Sequence, residues 1–225
     1  MRIFIAGATG ATGRVLVPEA TARGHELVLH VRPQSRDKSP LGADPRAKVF
    51  ELSDHAALTL ALRGCDVCIS LVGTMRNRFA AGDTYESSDL GSTRALTAAA
   101  KEAGVPRFLL LSSVGAGGAG AYLKMKGECE RIVKDSGLRS VIFRPSVLVS
   151  PKGADAGHHG KRDDQPSMDL ALRALGVLPG LRGFSADYRP IGIDVLVGAM
   201  LDVVESRGKV RDGDIVMGRD MAKAR

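Results

Sequence analysis

The chain has 225 residues, which is long enough to bury a substantial core, and 44% of them are hydrophobic and 25% charged. This composition excludes an intrinsically disordered protein, and the odd number of three cysteines argues against a disulfide scaffold. The net charge of +7 comes from scattered basic residues with few aromatic side chains, which favours a solvated basic surface over a nucleic-acid site. No apolar run reaches the roughly 20 residues of a membrane-spanning helix, and we expect a cytoplasmic protein without a membrane partner.

Residues 1–13 form the first predicted unit, a short apolar strand that runs into a glycine-rich turn. Gly7, Gly10 and Gly13 follow a G-x-x-G-x-x-G spacing, a helical pattern comes next, and a second strand at 26–32 completes a βαβ unit. Glycines permit a tight turn and close approach of the backbone to a pyrophosphate, whose charge the amides at the helix start stabilise. The sequence therefore predicts dinucleotide binding here, with an ordinary structural turn as the alternative. The predicted contacts are Gly7, Thr9, Gly10, Ala11, Thr12 and Gly13.

Arg32 ends the second strand, 19 residues beyond Gly13. Sites selective for NAD usually place an acidic residue there, which hydrogen-bonds the 2′-hydroxyl of the adenosine ribose. The planar guanidinium of an arginine suits a 2′-phosphate instead, and Arg36 and Lys38 follow in the same loop. We therefore predict NADP(H) as the cofactor rather than NAD(H). The alternative is that Arg32 only ends a strand at the surface.

Further strands and helices alternate along the chain. The predicted strands lie at 47–52, 66–72, 107–113, 139–143 and 214–218, and the predicted helices at 56–63, 85–103, 166–175 and 193–206. Strand–helix alternation indicates a doubly wound parallel sheet with right-handed crossovers, an α/β fold of the Rossmann type. We expect a single domain over 1–225, in which 1–150 form the dinucleotide-binding core and 151–225 a small substrate-side cap.

Cys65 and Cys68 form a C-x-x-C pair, a spacing found in redox and zinc sites. We place both on a buried strand, where alternation directs them to opposite faces, and no second Cys or His pair completes a zinc site. Core packing is therefore the favoured interpretation. The adjacent His158 and His159 are interpreted as part of a solvated charged loop, so that no metal site is predicted.

Ser112 and Ser113 close the fifth predicted strand, and Tyr122 and Lys126 lie four residues apart on one face of the next helix. An ammonium beside a phenol favours the phenolate, so the pair is suited to give a proton to a carbonyl oxygen as hydride arrives from a nicotinamide. The lysine is also suited to bind the nicotinamide ribose, and a serine hydroxyl to orient the substrate oxygen. The alternative is a packed tyrosine and a solvated lysine, because this spacing also occurs by chance on amphipathic helices.

Several motifs occur together over nearly the whole chain. They are the glycine turn, Val31-Arg32, Leu71-Val72-Gly73-Thr74, Ser112-Ser113, Tyr122-x-x-x-Lys126-Gly127-Glu128 and Phe143-Arg144-Pro145-Ser146. In this combination the chain resembles the atypical short-chain dehydrogenase/reductases. Within them it is most similar to the NmrA-like NAD(P)H-binding group that includes the Tat-interacting protein oxidoreductases and the biliverdin IXβ/flavin reductases.

The resemblance implies roles for further residues. Ser113 is implied as the catalytic serine beside Tyr122 and Lys126. The implied cofactor contacts are Leu52 at the adenine edge, Leu71, Val72 and Gly73 on the adenosine side, Lys126 at the ribose, and Pro145 and Val147 at the nicotinamide end. Ser113 and Tyr122 are nine residues apart, fewer than in ordinary short-chain dehydrogenases, so the glycine-rich loop at 115–120 must be compact. This loop is interpreted as a mobile lid or as a simple connector.

The predicted function is NADPH-dependent reduction of a small carbonyl, quinone or flavin-like acceptor by a monomer or homodimer. Tyr122 donates the proton, Lys126 favours the ionised form of Tyr122 and holds the ribose, and Ser113 positions the acceptor. The alternative is a non-catalytic NADPH sensor or chaperone-like protein that reports to a partner. An exposed apolar helix at 193–204 would support that alternative.

Overall fold

The computed structural model describes residues 1–73, 86–150, 187–207 and 209–221. The strands are β1 (Arg2–Ala6), β2 (Glu26–Val31), β3 (Ala47–Val49), β4 (Val67–Ser70), β5 (Arg107–Leu111), β6 (Arg139–Arg144), β7 (Leu148–Val149), β8 (Ile191–Gly192) and β9 (Ile215–Met217). The helices are α1 (Ala11–Ala22), α2 (His55–Leu62), α3 (Gly91–Glu102), α4 (Ala121–Asp135), α5 (Ile193–Val204) and α6 (Gly218–Met221). The predicted histidine pair and the helix at 166–175 lie outside the described residues. None of the described helices has the length and apolar character needed to cross a bilayer.

Seven of the described strands form one parallel sheet in the order β3-β2-β1-β4-β5-β6-β9, and β7 pairs with β8 separately. The predicted doubly wound parallel sheet is therefore confirmed. β1 lies between β2 and β4, because the chain builds outward through β2 and β3 before it crosses to β4. In open α/β sheets, ligands bind at the carboxyl ends of the strands where the order reverses. Here that point lies between β1 and β4, where the glycine turn leaves the sheet.

Alternate residues of β1 fill two separate cores, because successive side chains of a strand point to opposite faces. Ile3 and Ile5 pack on the face covered by α1 and α5. Phe4 and Ala6 pack on the face covered by α2, α3 and α4. The two helical layers thus hold the central strand from both sides, and they fix where its carboxyl end delivers the turn.

Two described elements beyond residue 150, α5 and β9, belong to the layers around the main sheet. β9 joins the main sheet beside β6, and α5 buries most of its residues in the core shared with α1. Arg23 at the end of α1 reinforces this contact, since its Nη1 lies 2.8 Å from Asp202 Oδ1 and 3.2 Å from Glu205 Oε2. Helix α5 therefore does not provide the exposed apolar surface that would support the sensor alternative.

The two cysteines of the C-x-x-C pair are buried in the same core cluster, so the prediction that they face opposite sides of the sheet is wrong. The reason is that β4 begins only at Val67, which leaves Cys65 in the preceding turn. Burial raises the pKa of the Cys65 thiol to about 11 and that of Cys68 well above its usual range. Such thiols are poor nucleophiles and ligands, which supports the core-packing interpretation. The described residues contain no group of three or more His, Cys, Asp or Glu side chains placed to hold a metal ion.

Helix α4 packs directly on the glycine-rich loop, and this contact makes a testable prediction. A β-carbon on Gly127 would lie 2.6 Å from the Cα atom of Gly117. Alanine is normally favoured over glycine inside a helix by about 1 kcal/mol, but overpacking costs about 1–3 kcal/mol. We therefore expect Gly127→Ala to lower the free energy of unfolding in urea.

Gly198→Ala in α5 is the matched control, because the nearest described atom beyond the helix backbone and neighbouring residues is Arg23 Nη2 at 4.0 Å. The control is expected to keep or increase the stability of the protein. Equal stability changes in the two variants would contradict the close packing of α4 on the loop.

Candidate functional site

The glycine turn between β1 and α1 is packed against the end of β4. Gly7 has a φ of +88°, and a β-carbon there would lie 2.9 Å from the carbonyl carbon of Leu71. A β-carbon on Gly13 would lie 2.3 Å from the carbonyl oxygen of Ala8, so only glycine lets α1 approach this closely. A β-carbon on Gly10 would have one neighbour among the described residues, the Gly7 carbonyl oxygen at 3.3 Å. Packing alone therefore accounts for Gly7 and Gly13, whereas Gly10 leaves open the backbone surface that a pyrophosphate needs.

The first turn of α1 faces the same crevice. Its first helical hydrogen bond runs from the Arg14 amide to the Gly10 carbonyl at 2.9 Å. The amides that precede this bond in the helix belong to Ala11, Thr12 and Gly13. Thr9 lies in the turn itself, where its carbonyl oxygen accepts a hydrogen bond from Arg14 Nε at 3.2 Å. Amides at a helix start, together with the helix dipole, favour an anionic group.

The predicted adenosine side lies where β2 and β3 end. The Phe50 amide donates to the Val31 carbonyl at 3.3 Å, and His30 Nε2 lies 2.9 Å from the Phe50 carbonyl oxygen. Burial lowers the pKa of the His30 imidazole, and the Arg32 guanidinium lowers it further. Arg32 is half-buried at this edge and begins the single turn at Pro33–Ser35. The structure thus places the predicted phosphate-binding arginine beside the segment that follows β3.

Leu52, predicted to contact the adenine edge, lies beyond the end of β3. β3 ends at Val49 rather than at 52, so that Leu52 lies in the turn before α2. Its side chain is buried in the core on the face of α2, α3 and α4. Glu51 stays at the edge, where its Oε1 accepts a hydrogen bond from Gln34 at 2.5 Å. The side chain of Leu52 therefore serves the core, and Glu51 and Gln34 form the polar rim.

The segment 71–73 joins the two halves of the crevice. The Leu71 amide donates to the Ala6 carbonyl at 2.9 Å, which keeps the segment beside the glycine turn. At its other end, a β-carbon on Gly73 would lie 3.7 Å from Lys126 Nζ and 4.0 Å from Asp89 Oδ1. The predicted contacts Leu71, Val72 and Gly73 therefore run from the turn to the predicted catalytic lysine.

Lys126 is buried and forms an ion pair with Asp89. Its Nζ lies 3.1 Å from Asp89 Oδ1, and only 5% of Lys126 and 2% of Asp89 are exposed. The same Nζ lies 5.9 Å from the centre of the Tyr122 ring, and Tyr122 is 39% exposed. The alternative of a packed tyrosine and a solvated lysine is therefore wrong. The tyrosine is open to solvent and the lysine is enclosed beside it.

The ion pair keeps a positive charge inside the crevice. Burial on its own lowers the pKa of the Lys126 ammonium, but the Asp89 carboxylate, together with Tyr122 and Cys129, raises it, and the net shift of the pKa is upward. Lys126 is consequently an ammonium at neutral pH. It can hold a ribose hydroxyl and stabilise a phenolate while Asp89 offsets its charge.

The glycine-rich loop is compact, as the short spacing between Ser113 and Tyr122 requires. The Gly117 amide donates to the Leu123 carbonyl at 2.7 Å, and the Ala116 amide donates to the Ser113 carbonyl at 3.1 Å. The loop therefore folds back onto the first turn of α4. These contacts favour a packed connector over a lid, and they hold Ser113 and Tyr122 at the two ends of one short loop.

The predicted nicotinamide end is built from the segment after β6. The Val114 amide donates to the Pro145 carbonyl at 2.8 Å, and the Ile191 amide donates to the Val147 carbonyl at 2.9 Å. Pro145 and Val147 thus lie between the segment 113–120, here called the serine loop, and the segment that leads into α5. Tyr188 of that segment reaches the loop, since a β-carbon on Gly115 would lie 3.4 Å from the Tyr188 hydroxyl.

Among the described residues, Asp89 and Tyr188 lie near the site and were missed by sequence reasoning. Asp89 lies 37 residues before Lys126, in a wide turn at Glu86–Leu90 where a regular helix was predicted. An acidic residue inside a predicted helix gives no local indication of a distant partner. Tyr188 lies beyond 150 in the sequence, and the position of its hydroxyl near Gly115 identifies it.

The ion pair makes a second testable prediction. Asp89→Ala leaves the Lys126 ammonium buried without its partner, a change that costs about 3–5 kcal/mol. Since folding raises the pKa of Lys126, the stabilisation is complete below the usual lysine range near ~10.4 and is lost only as the pH rises through the higher folded value. Urea unfolding at neutral pH therefore measures the full effect.

The double variant Asp89→Ala with Lys126→Met removes both charges and is expected to recover most of the lost stability. An Asp89→Ala protein as stable as the wild type, or a double variant no more stable than the single one, would contradict the ion pair.

Comparisons with known proteins agree with this geometry. A family model described as NAD(P)H-binding matches residues 7–172. Protein HTATIP2 of Rattus norvegicus is 31% identical over 215 residues, which cover 92% of this chain and 82% of that protein. The mitochondrial protein FMP52 of Candida albicans is 29% identical over 166 residues, which cover 70% of this chain and 71% of that protein.

Solved structures share the fold at low sequence identity. A short-chain dehydrogenase/reductase superfamily protein from Agrobacterium tumefaciens with bound NAD has a TM-score of 0.68 at 18% identity, covering 96% of this chain and 76% of that one. The human epimerase family protein SDR39U1 with NADPH has a TM-score of 0.63 at 19% identity, covering 99% and 78%. These two proteins hold different coenzymes and do not decide between NADP(H) and NAD(H) here. From the family match over most of its length and its similarity to HTATIP2, this chain belongs to the NAD(P)H-binding family that its motifs predict.

Proposed function

We propose that this protein is an NADPH-dependent oxidoreductase that transfers hydride to a small carbonyl, quinone or flavin-like acceptor. The observation that carries the proposal is the buried ion pair of Lys126 and Asp89 beside the exposed ring of Tyr122. Burying two charges contributes little net stability compared with apolar packing. An enclosed Lys126 ammonium is explained by two tasks at this place: it stabilises the Tyr122 phenol when the phenol gives up a proton, and it holds the ribose.

The crevice residues fit a dinucleotide. The backbone of Gly10 is accessible to a phosphate, and Gly73 has no side chain that would approach Lys126 and Asp89. The glycine turn would hold the pyrophosphate, Arg32 the 2′-phosphate, and Lys126 the nicotinamide ribose. When bound, the reduced nicotinamide supplies the hydride. The chain itself must then provide orientation and one proton.

The proton comes from Tyr122 in the proposed reaction. Its hydroxyl gives a proton to the carbonyl oxygen of the acceptor, and hydride and proton together convert the carbonyl to an alcohol. The Lys126 ammonium stabilises the remaining phenolate, and the exposed Tyr122 regains a proton from solvent. Ser113 donates a hydrogen bond that orients the acceptor oxygen.

Tyr122→Phe tests this role directly. Removing a general acid costs about 10²–10⁴ in rate, so we expect kcat with aldehydes and ketones to fall by this factor. The Kd of NADPH is expected to stay unchanged, because the variant keeps Lys126 and the glycine turn. Quinone and flavin acceptors serve as internal controls, because they accept hydride without a proton from Tyr122. The activity with these acceptors is expected to fall less.

Steady-state NADPH oxidation against a panel of aldehydes, ketones, quinones and flavins is the measurement. Full activity of Tyr122→Phe with aldehydes and ketones would contradict the acid role. Wild-type protein that binds NADPH but oxidises it with no acceptor would contradict the oxidoreductase proposal and favour the non-catalytic binding protein.

Arg32→Ala tests the coenzyme. Hydrogen bonds to a charged group contribute about 1.5–3 kcal/mol, so NADPH binding is expected to weaken about 10- to 100-fold, and NADH binding to change little. Arg36→Ala is the matched control, since Arg36 is exposed in the same loop, and a smaller effect is expected. Calorimetric titration of each variant with both coenzymes gives the comparison. Equal weakening of NADPH and NADH would overturn the choice of NADPH.

A further inference from the structure

A second charged cluster, centred on the buried Glu130, lies next to the candidate site and is not used by the proposed proton transfer. Ser112 Oγ donates to Glu130 Oε1 at 2.6 Å. Arg144 binds the same carboxylate with two hydrogen bonds, from Nε to Oε1 at 2.8 Å and from Nη2 to Oε2 at 2.6 Å. Glu130 is only 2% exposed. We call these three residues the Glu130 cluster.

Each member of the Glu130 cluster is adjacent to a segment of the candidate site. Ser112 immediately precedes Ser113, and Arg144 ends β6 immediately before Pro145. Glu130 lies on α4, one helical turn beyond Lys126. The carboxylate therefore joins the serine loop, the nicotinamide-end segment and the tyrosine–lysine helix at one point.

The described backbone hydrogen bonds align two of these segments along the sheet, and they reach α4 at its first turn, where the Gly117 amide donates to the Leu123 carbonyl. The Ser112 amide donates to the Phe143 carbonyl at 2.8 Å, so the ends of β5 and β6 are held together without side chains. Helix α4 packs on the sheet through apolar residues such as Met125, Cys129 and Val133. Apolar packing tolerates small shifts, whereas a bidentate carboxylate–guanidinium contact has a fixed geometry.

Stability does not explain the Glu130 cluster. Replacing a buried ion pair by apolar residues of similar volume is often neutral or stabilising. A catalytic arrangement, in contrast, is sensitive to position, since a misplacement of about 1 Å can cost roughly 10²-fold in rate. We propose that Glu130 is a positioning residue that sets Tyr122 and Lys126 on α4 against Ser113 and the segment at 145–147. This inference rests on the proposed function, because it assigns Glu130 to the same reaction.

The test uses full-length protein with the aldehyde or ketone that the wild type reduces fastest. Glu130→Gln keeps the size of the side chain but removes its charge and one acceptor for Arg144. We expect kcat to fall about 10²-fold. The KM for NADPH is expected to change much less than kcat, because the glycine turn and Arg32, which hold the phosphates in the proposed complex, lie outside the Glu130 cluster.

Two further variants separate positioning from folding. Arg144→Lys keeps the charge but not the bidentate geometry, and an intermediate loss of kcat is expected. The double variant Glu130→Met with Arg144→Leu removes both charges; its urea unfolding is expected to resemble the wild type, while kcat stays low. Asp135→Asn on the exposed face of α4 is the control and should leave kcat unchanged.

The outcomes are distinct. Wild-type kcat in Glu130→Gln, or in the folded double variant, would overturn the positioning role while the oxidoreductase proposal stands. Failure of all three variants to fold would assign the Glu130 cluster to folding and overturn the inference as well. A wild-type protein that reduces no acceptor would refute the proposed function itself, and the inference with it.

Discussion

Gly7 lies so close to the backbone of Leu71 that no β-carbon fits between them, and this contact holds the first helix at the centre of the sheet. Gly13 makes a comparable approach to Ala8 one turn later. Together they bring the start of α1 to the switch point between β1 and β4. The two apolar cores on either side of β1 keep this geometry rigid, so the amides at the helix start face a crevice of fixed shape.

Electrostatics divide the crevice into two regions of different character. At the edge of β2 and β3, Arg32 is half-buried beside a polar rim that includes Glu51. At the edge of β4 and β5, the charge of Lys126 is enclosed and offset by Asp89. The first arrangement suits a solvated phosphate, and the second suits a ribose and a reacting phenol. The short segment after β4 connects the two, which matches the extended shape of a dinucleotide.

Local sequence patterns were sufficient to predict the parallel sheet and the placement of the glycine turn. The strand–helix alternation and the glycine spacing can each be read from residues close together in the chain. The short apolar run of β1 and the spacing of Tyr122 and Lys126 are patterns of this kind. Long-range features could not be predicted. The partners of Lys126 and Glu130 lie 37 and 14–18 residues away, and no periodicity links such positions. The division of the chain at residue 150 stays a prediction, although α5 and β9, which lie beyond it, pack on the main sheet.

Everything proposed for the chemistry requires that the glycine turn and the arginine edge hold one phosphorylated nicotinamide coenzyme. Calorimetric titration of the wild-type protein with NADPH, followed by NADH, measures this most directly. We expect saturable binding of one NADPH per chain in the micromolar range and weaker binding of NADH. Absence of binding with NADPH at millimolar concentration would contradict the account at its base.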